Sequence, residues 1–405
     1  MIDKQEHQGW KRAVFLLALC IGGTSASYTM LVPFLPLYLL ELGAPQDQVT
    51  LYAGVVFSVT FLIAAIMAPI WGKMADKRGK RPMAIRACVG LTAAYFLGGI
   101  VTSPLQLFGM RVVQGFANGF LPAVLAIASV RAPANKLGYA LGIVQTGQII
   151  GTVLGPLLGG IISELVGMRM SFFVASGFLL LVTIFVFFFV KEPPRQEKMV
   201  KKAVETSILE DFRYAAHNHL LVGMLLLAMV INLANMVLQP VISLYIAELQ
   251  SSMENVAFTS GLIFSLGGIA GALSTAFWGT MGQRRGYFLV MVVAFGVGGL
   301  FNAMQYLAPG IASFAVLQFL FGLFFVGANP AVSATLAGST DAGFRGRAFG
   351  LMTTANQFGG MAGPLLGSGI ATLLGIKFVF LVTGPCLMLI GGFIWYRCLH
   401  QRTTA

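Results

Sequence analysis

The sequence predicts an all-α integral membrane protein with twelve transmembrane helices in two pseudo-symmetric bundles of six. Three observations predict this architecture. The 405 residues are 57% hydrophobic and only 10% charged, whereas ordinary soluble domains carry about 25% charged residues. Uncharged apolar stretches long enough to cross a bilayer, which takes about 20 residues per helix, recur along the chain. The second half of the sequence also repeats the first.

Stretches without Asp, Glu, Lys or Arg mark the individual spans, because a charged side chain is costly in hydrocarbon. Residues 82–130, which are interrupted only by Arg86 and Arg111, and residues 286–340, which carry no charge, each predict two helices, divided at 102–104 and at 307–310. The first stretch exceeds the core of a signal peptide, which has about 7 to 15 residues, so we expect it to remain in the mature protein. The stretches that predict one helix each are 13–40, 48–72, 137–163, 170–190, 214–247, 255–283, 348–376 and 378–396.

The formal net charge of +12 reflects topology rather than nucleic-acid binding. With a cytoplasmic N-terminus, 23 of the 26 Lys and Arg residues fall on the cytoplasmic side, two fall outside, and Arg111 lies in the membrane. Cytoplasmic loops collect Lys and Arg, so we expect both termini in the cytoplasm and no nucleic-acid partner. The four scattered cysteines predict neither a disulfide framework nor a metal site.

The two halves align at an offset of 207 to 208 residues. Each copy contains six spans, an even number, so both copies have the same orientation, as in secondary transporters built from parallel repeats. We therefore predict a six-helix bundle at 1–190, a polar cytoplasmic linker at 191–217 and a second bundle at 218–405. Matching pairs include Gly54 with Gly261, Phe57 with Phe264, Tyr38 with Tyr245, and Gly155 with Gly363.

The loop between spans two and three reads GKMADKRGKRP. Its two glycines, seven residues apart, permit a tight reversal between helices, and its basic cluster suits the inner membrane surface. The loop resembles the signature G-x-x-x-D-(R/K)-x-G-(R/K)-(R/K) of the major facilitator superfamily at every position. This resemblance implies a latch between the two halves during alternating access. The residues that it assigns to the latch are Gly72, Asp76, Arg78, Gly79 and Arg81.

Span five carries Gly147, Gly151, Gly155, Pro156 and Gly159. Residues four apart lie on one face of a helix, and glycines there allow close helix packing. The pattern G-x-x-x-G-x-x-x-G-P-x-x-G-G is similar to the motif of the exporting antiporters of the superfamily. Together with LVPFLP at the end of span one, it makes the chain resemble the twelve-helix drug:proton antiporters, most of all their MdtG-like multidrug efflux branch. The resemblance implies export of amphipathic small molecules in exchange for protons.

Span four carries Arg111, Gln114 and Asn118 at spacing i, i+3, i+7, which predicts a shared helix face. A charged residue in a span is expensive and must face protein or water. The sequence RVVQG is similar to the R-x-x-q-G motif of the family. That similarity implies a role for Arg111 in proton coupling.

Polar side chains on several spans predict a neutral, polar-spotted cavity for the substrate. Those on span seven repeat the i, i+3, i+7 spacing, and others lie on spans one, five and eleven. Adaptable Met and aromatic walls suit a promiscuous apolar pocket. The predicted substrate-binding residues are Tyr28, Gln114, Asn118, Gln145, Asn232, Asn235, Gln239 and Asn356.

The acidic residues leave the proton-coupling carboxylate open. Of the 14 Asp and Glu residues, nine fall on the inner side and five outside, so none is predicted at mid-membrane, in contrast to many relatives. Asp76 is one candidate. Glu41 and Glu248, which are related by the same offset of 207, are the others.

A dedicated transporter of one sugar or metabolite remains an alternative, and a narrow substrate profile would favour it. An enzyme lacks support, because the sequence has no Walker A sequence, no H-E-x-x-H, no G-x-S-x-G and no His cluster. We therefore expect no catalytic residue, no cofactor and no metal. The expected partners are small amphipathic substrates, protons and membrane lipid, and we expect the protein to be a monomer.

Overall fold

The twelve predicted spans all form helices. The protein is described by a computed structural model over residues 2–133, 136–190, 213, 215–253, 255–341 and 344–403. Apart from one 3₁₀ turn at Gln305–Leu307, the elements in these ranges are α1 (Ile2–Met30), α2 (Leu35–Glu41), α3 (Val49–Arg78), α4 (Lys80–Ile100), α5 (Pro104–Ala117), α6 (Phe120–Arg131), α7 (Leu137–Val166), α8 (Met168–Phe189), α9 (His219–Val237), α10 (Gln239–Gln250), α11 (Val256–Arg285), α12 (Tyr287–Met304), α13 (Ile311–Phe325), α14 (Ala328–Gly338), α15 (Arg345–Leu374) and α16 (Phe378–Thr403).

Eleven spans in the described ranges are long and apolar enough to cross a membrane. The remaining span is α15, whose 30 residues suffice in length. It is less apolar because its first half contains Thr353, Thr354, Asn356 and Gln357. The two predicted divisions are confirmed, since helices end and restart on either side of 102–104 and 307–310. The linker predicted at 191–217 lies mostly outside the described residues.

Spans one, four, seven and ten are each divided into two helices, which the hydropathy pattern did not predict. The first span divides at 31–34 between α1 and α2, and the seventh divides at Leu238 between α9 and α10. The second helices of these two spans, α2 and α10, carry Pro within their first two positions. An N–H at these positions has no partner within the helix, so its absence costs nothing. The fourth span divides at Asn118 and Gly119, where Gly119 has φ +117°, a conformation that glycine tolerates best.

One of the two predictions of a shared helix face is wrong because of these divisions. Asn118 is the C-cap of α5, so the face of Arg111 and Gln114 ends at this residue. Gln239 is the first residue of α10, beyond the end of the helix that carries Asn232. An i, i+7 relation holds only along an uninterrupted helix.

The described residues group into two compact units. Unit 1 comprises Met1–Ala44 with Val59–Glu205, and unit 2 comprises Pro45–Ser58 with Thr206–Ala405. The first residues of α3, up to Ser58, belong to unit 2. The Ser58 hydroxyl donates a hydrogen bond to the carbonyl oxygen of Met361 at 2.6 Å. Each unit has its own buried apolar cluster. The predicted domain bounds stay a prediction.

The predicted internal repeat is visible in the contacts inside each unit. In unit 1 the Tyr38 hydroxyl donates a hydrogen bond to the carbonyl oxygen of Gly98 at 3.0 Å. In unit 2 the Tyr245 hydroxyl donates one to the carbonyl oxygen of Gln305 at 3.1 Å. Donor and acceptor are both displaced by 207 residues, so the two units repeat a three-dimensional arrangement as well as a sequence pattern.

The glycines of span five form a close contact between α7 and α1 in unit 1. A Cβ at Gly151 would overlap the carbonyl oxygen of Gly22, and one at Gly159 would overlap that of Met30. In unit 2 the equivalent Gly367 of α15 faces the carbonyl oxygen of Val237 on α9 in the same way. The close packing predicted for the helix that carries Gly147, Gly155 and Pro156 is therefore confirmed. Backbones can approach this closely only when no side chain intervenes.

Large apolar side chains cover much of the outside of both units. Leu165, Phe188, Leu373 and Leu389 are 76%, 69%, 84% and 74% exposed. Soluble monomers rarely present so much contiguous apolar surface. Lipid acyl chains are the medium that such a surface fits.

Candidate substrate and coupling sites

The polar centre of unit 1 is a buried hydrogen-bonded chain of three side chains. Helix α5 places Arg111 and Gln114 on adjacent turns, where they are only 2% and 1% exposed. The guanidinium of Arg111 donates to Gln114 Oε1 at 2.8 Å, and Gln114 Nε2 donates to the Tyr95 hydroxyl at 3.1 Å. These bonds orient the amide of Gln114 between a charged donor and a phenol.

Two further residues surround this chain. Tyr28 of α1 is half-buried and lies close to Arg111. The Thr60 hydroxyl of α3 donates to the backbone carbonyl of Arg111 at 3.2 Å. The predicted pair Arg111 and Gln114 is thus brought together, with Tyr28 beside it. Tyr95 was missed, because a tyrosine in an apolar span carries no sequence signal of its partner on another helix.

The division of span four is held by side chains from two neighbouring helices. The carbonyl oxygen of Phe116 accepts hydrogen bonds from Trp71 Nε1 and Arg86 Nη1, each at 3.0 Å. Arg86 Nη2 also donates to the carbonyl oxygen of Asn118 at 2.8 Å, and its guanidinium lies 3.8 Å from the Trp71 ring centroid. Backbone carbonyls released by a helix break need such partners inside a membrane.

Arg86 therefore stabilises the break in span four, whereas its sequence position predicted only a basic residue on the cytoplasmic side. Its signal was present, since it interrupts an otherwise apolar stretch. In unit 2, Trp278 Nε1 donates to the carbonyl oxygen of Leu323 at 2.7 Å, matching Trp71 and Phe116. The position 207 residues after Arg86 is Val293, so unit 2 lacks the arginine at this point.

Unit 2 has a smaller polar contact between two of the predicted residues. Asn232 of α9 donates from Nδ2 to the backbone carbonyl of Asn356 on α15. Asn235 is exposed on the same helix and Gln239 is half-buried on α10. In unit 1, Gln145 of α7 is exposed. The structure thus joins Asn232 to Asn356, while Asn235, Gln239 and Gln145 lie on α9, α10 and α7.

Besides the substrate contact predicted for it, Asn118 makes a hydrogen bond at the turn between α5 and α6. Its side-chain Oδ1 accepts a hydrogen bond from the backbone N–H of Gly119 at 2.7 Å. This bond occupies the side chain at the turn between α5 and α6. Asn118 lies one turn beyond Gln114, so the turn still borders the buried chain.

The outer carboxylates are accessible side chains. Glu41 is exposed at the end of α2. Glu248 Oε1 lies 3.4 Å from Lys377 Nζ, and the two side chains are 48% and 44% exposed. Such exposed pairs contribute about 0 to 1 kcal/mol. The pairing therefore leaves Glu248 free to exchange partners at little cost.

The loop predicted from Gly72 to Arg81 is helical except at Gly79, because α3 continues to Arg78 and α4 begins at Lys80. Gly79 has φ +108° and reverses the chain, as its position between the helices predicts. Arg81 Nη2 donates to the carbonyl oxygen of Phe187 at 2.5 Å, in the last turn of α8, where a cation is favoured by the helix dipole. Gly72 and Arg78 are exposed. The side chain of Asp76 lies outside the described residues.

Comparison with known proteins gives the chain a family. The model of the Major Facilitator Superfamily matches residues 17–301 and 233–404. The chain is 32% identical over 398 residues to "Multidrug resistance protein MdtG" of Serratia proteamaculans (strain 568), covering 98% of this chain and 95% of the relative. It is 35% identical over 371 residues to "Uncharacterized MFS-type transporter YuxJ" of Bacillus subtilis (strain 168), covering 90% and 94%.

Solved structures agree with the fold. A crystal structure of a variant of the nucleoside transporter NupG has a TM-score of 0.80 at 15% identity, over 96% of this chain and 99% of that one. A bacterial homologue of the human lysosomal transporter Spinster has a TM-score of 0.77 at 14% identity, over 96% of each chain. At such identities the likeness concerns the fold alone. The family match, the twelve spans and the internal repeat together show that this multi-pass membrane protein belongs to the major facilitator superfamily.

Proposed function

We propose that this protein is a proton-coupled secondary exporter that moves amphipathic small molecules across the membrane by alternating access. The observation that carries the proposal is the buried chain of Arg111, Gln114 and Tyr95 beside a divided span. A charged side chain inside a span is expensive, and such residues mark substrate and ion pathways. Relatives named as multidrug resistance proteins support amphipathic compounds as the substrate class.

The divided spans support the placement of a substrate site near their breaks. Discontinuous helices expose backbone N–H and C=O groups at mid-membrane, and transporters use such groups to hold substrates and coupling ions. We assign substrate contacts to the polar side chains on or beside the spans that divide and on spans five and eleven. They are Tyr28, Gln114, Asn118, Gln145, Asn232, Asn235, Gln239 and Asn356.

Proton coupling is assigned to Arg111 together with a carboxylate that alternates between protonated and charged forms. Asp76, Glu41 and Glu248 are the candidates for that carboxylate. Glu41 and Glu248 are accessible from water in this structure, which proton exchange requires. Export in this scheme needs no cofactor, no metal and no catalytic residue.

Substrate charge should follow from the fixed charge of Arg111. No Asp or Glu of the sequence is predicted at mid-membrane, so we expect the positive charge of Arg111 to disfavour a permanently cationic substrate. We expect neutral and zwitterionic amphipaths, such as fluoroquinolone-like compounds, to be exported at least about tenfold faster than quaternary ammonium dyes, a difference of about 1.4 kcal/mol. Efflux of a matched panel from cells that lack their own exporters measures this.

The same panel separates the proposal from its alternative. Export of several unrelated amphipaths supports polyspecific efflux. Export of a single sugar or metabolite would instead identify a dedicated transporter. Robust export of quaternary cations would show that the charge argument is wrong.

The topology that we propose places both termini and the linker 191–217 in the cytoplasm. The excess of Lys and Arg on that side motivates it. Single cysteines introduced into the linker should react with a membrane-impermeant maleimide only after the cells are opened. A cysteine at 164–169, on the predicted outer side, is the positive control and should be labelled in intact cells. Labelling of a linker cysteine in intact cells would contradict this orientation.

Asp76→Asn should reduce transport strongly while leaving protein level and substrate binding close to those of the parent. The reason is that Asp76 belongs to the loop that we assign to conformational exchange, away from the substrate contacts. Transport and binding should be measured at matched expression. Asp341→Asn offers a control on an acidic residue outside the loop, and equal transport by the Asp76 variant and the parent would refute the assignment.

A further inference from the structure

We propose that a groove on unit 2 binds an anionic glycerophospholipid, with an acyl chain along the groove and the phosphate against Arg397 and His219. The groove lies among α9, α12 and α16 and has a volume of about 540 Å³. All of its lining residues belong to unit 2. This site is separate from the residues assigned to substrate and protons.

The body of the groove is apolar and open. Leu226 and Phe393 are 53% and 59% exposed, and Val230, Phe288 and Ile390 complete the wall. Apolar side chains on the outside of a membrane protein are covered by lipid tails, and a groove adds contacts on three sides of one tail. Burial of the acyl chain's surface in the groove contributes to lipid affinity equally for every headgroup.

Gly223 leaves part of the groove unfilled. It lies on α9 and lines the groove, and a Cβ built at this position would meet no atom within 4 Å. The space beside it is therefore available to an occupant. A larger side chain there would fill the groove without colliding with the protein.

The length of the groove matches one leaflet. Lining residues on α9 run from His219 to Val230, which is about 16 Å at 1.5 Å per residue. Half of a hydrocarbon core of about 30 Å is about 15 Å. An acyl chain that begins at His219 would therefore reach the bilayer midplane near Val230.

The two polar residues of the lining lie together at one end. His219 is the first residue of α9 and Arg397 lies near the end of α16, and both are exposed. The Arg397 guanidinium is 5.5 Å from the ring centroid of Phe393, which itself lines the groove. None of the described residues that line the groove is acidic. The charge at this end therefore complements a phosphodiester, and basic pockets at helix ends favour anionic headgroups.

A groove on unit 1 provides a contrast. It lies between α4 and α5, has a similar volume and includes Arg86. There the guanidinium already donates to the carbonyl oxygens of Phe116 and Asn118 and stacks on Trp71. An arginine held in this way is less available to a phosphate. Headgroup selectivity is therefore assigned to the groove on unit 2.

Native mass spectrometry of the full chain in detergent tests the proposal, with phosphatidylglycerol and phosphatidylcholine of identical acyl chains as probes. We expect phosphatidylglycerol to bind about fivefold tighter, the effect of one basic residue near a membrane surface. Arg397→Gln should remove this preference, while Arg285→Gln, an exposed arginine of the same unit outside the groove, should keep it. Equal binding of the two lipids by the parent, or equal effects of the two variants, would overturn the proposal.

A second pair of variants tests the acyl chain. Gly223→Leu should weaken binding of both lipids, while Gly392→Leu, which also has open space at its Cβ and lies outside the groove, should not. A photoactivatable phosphatidylglycerol should label the parent protein on peptides that contain 219–230 or 390–397. Labelling confined to other peptides would place the lipid elsewhere and would overturn the proposal even if a variant failed to fold.

Discussion

Arg111→Ala is expected to reduce proton-driven efflux to the background of empty vesicles. Arg111 is the charged member of the buried chain with Gln114 and Tyr95, and it lies beside Tyr28. Removing it deletes the fixed charge that we assign to proton coupling and leaves Gln114 Oε1 without its donor. The variant should still fold, because an unpaired buried acceptor costs about 1 to 3 kcal/mol.

Arg111→Lys should fail to restore efflux. An ammonium keeps the charge but lacks the planar fork of donors that a guanidinium presents. Lys136→Ala, which removes an exposed basic residue of unit 1, serves as the control and should behave as the parent. Efflux from vesicles at matched protein content measures all three variants. Unchanged proton-driven efflux in Arg111→Ala would remove Arg111 from the coupling mechanism.

Gly151→Leu is expected to abolish the folded protein. A Cβ at this position would overlap the backbone carbonyl of Gly22, so the helices α1 and α7 would have to separate along their whole contact. Overpacking of a core typically costs 1 to 3 kcal/mol, and here the obstacle is backbone rather than a movable side chain. We expect a loss of about 3 kcal/mol or more.

Gly142→Leu is the matched control, since it lies on the same helix and a Cβ there would meet no atom within 4 Å. Thermal unfolding followed by size-exclusion chromatography compares the two variants. A melting temperature for Gly151→Leu equal to that of Gly142→Leu would show that the close contact of the two helices is not required.

Hydropathy and the internal repeat predicted the fold well, because both are read directly from the order of residue types along the chain. The stretches between charges located all twelve spans, and the offset of 207 predicted equivalent structure around Tyr38 and Tyr245. The divisions inside the first, fourth, seventh and tenth spans were not predicted. A break leaves the hydropathy of a span unchanged, and residues such as Asn118 or Pro240 can also occur within continuous membrane helices.

The site was predicted in part for the same reason. Arg111 and Gln114 lie on adjacent turns of one helix, so their spacing predicted the shared face on which they make contact. Tyr95 and Arg86 join the site from another helix, and one sequence without its packing cannot show which helices are neighbours. The face expected to include Gln239 was interrupted, because α9 ends at Val237 and α10 begins at Gln239.

Efflux in proteoliposomes under an imposed proton gradient tests the central claim most directly. The membrane potential should be clamped and the lumen made acidic, with a zwitterionic amphipath added outside. We predict that the compound accumulates in the lumen against its gradient while luminal pH rises. Nigericin, which collapses the pH gradient, should prevent the accumulation, and Arg111→Ala should prevent both the accumulation and the substrate-dependent pH rise. Accumulation that is the same with and without the pH gradient, or compound movement without proton movement, would contradict proton-coupled antiport.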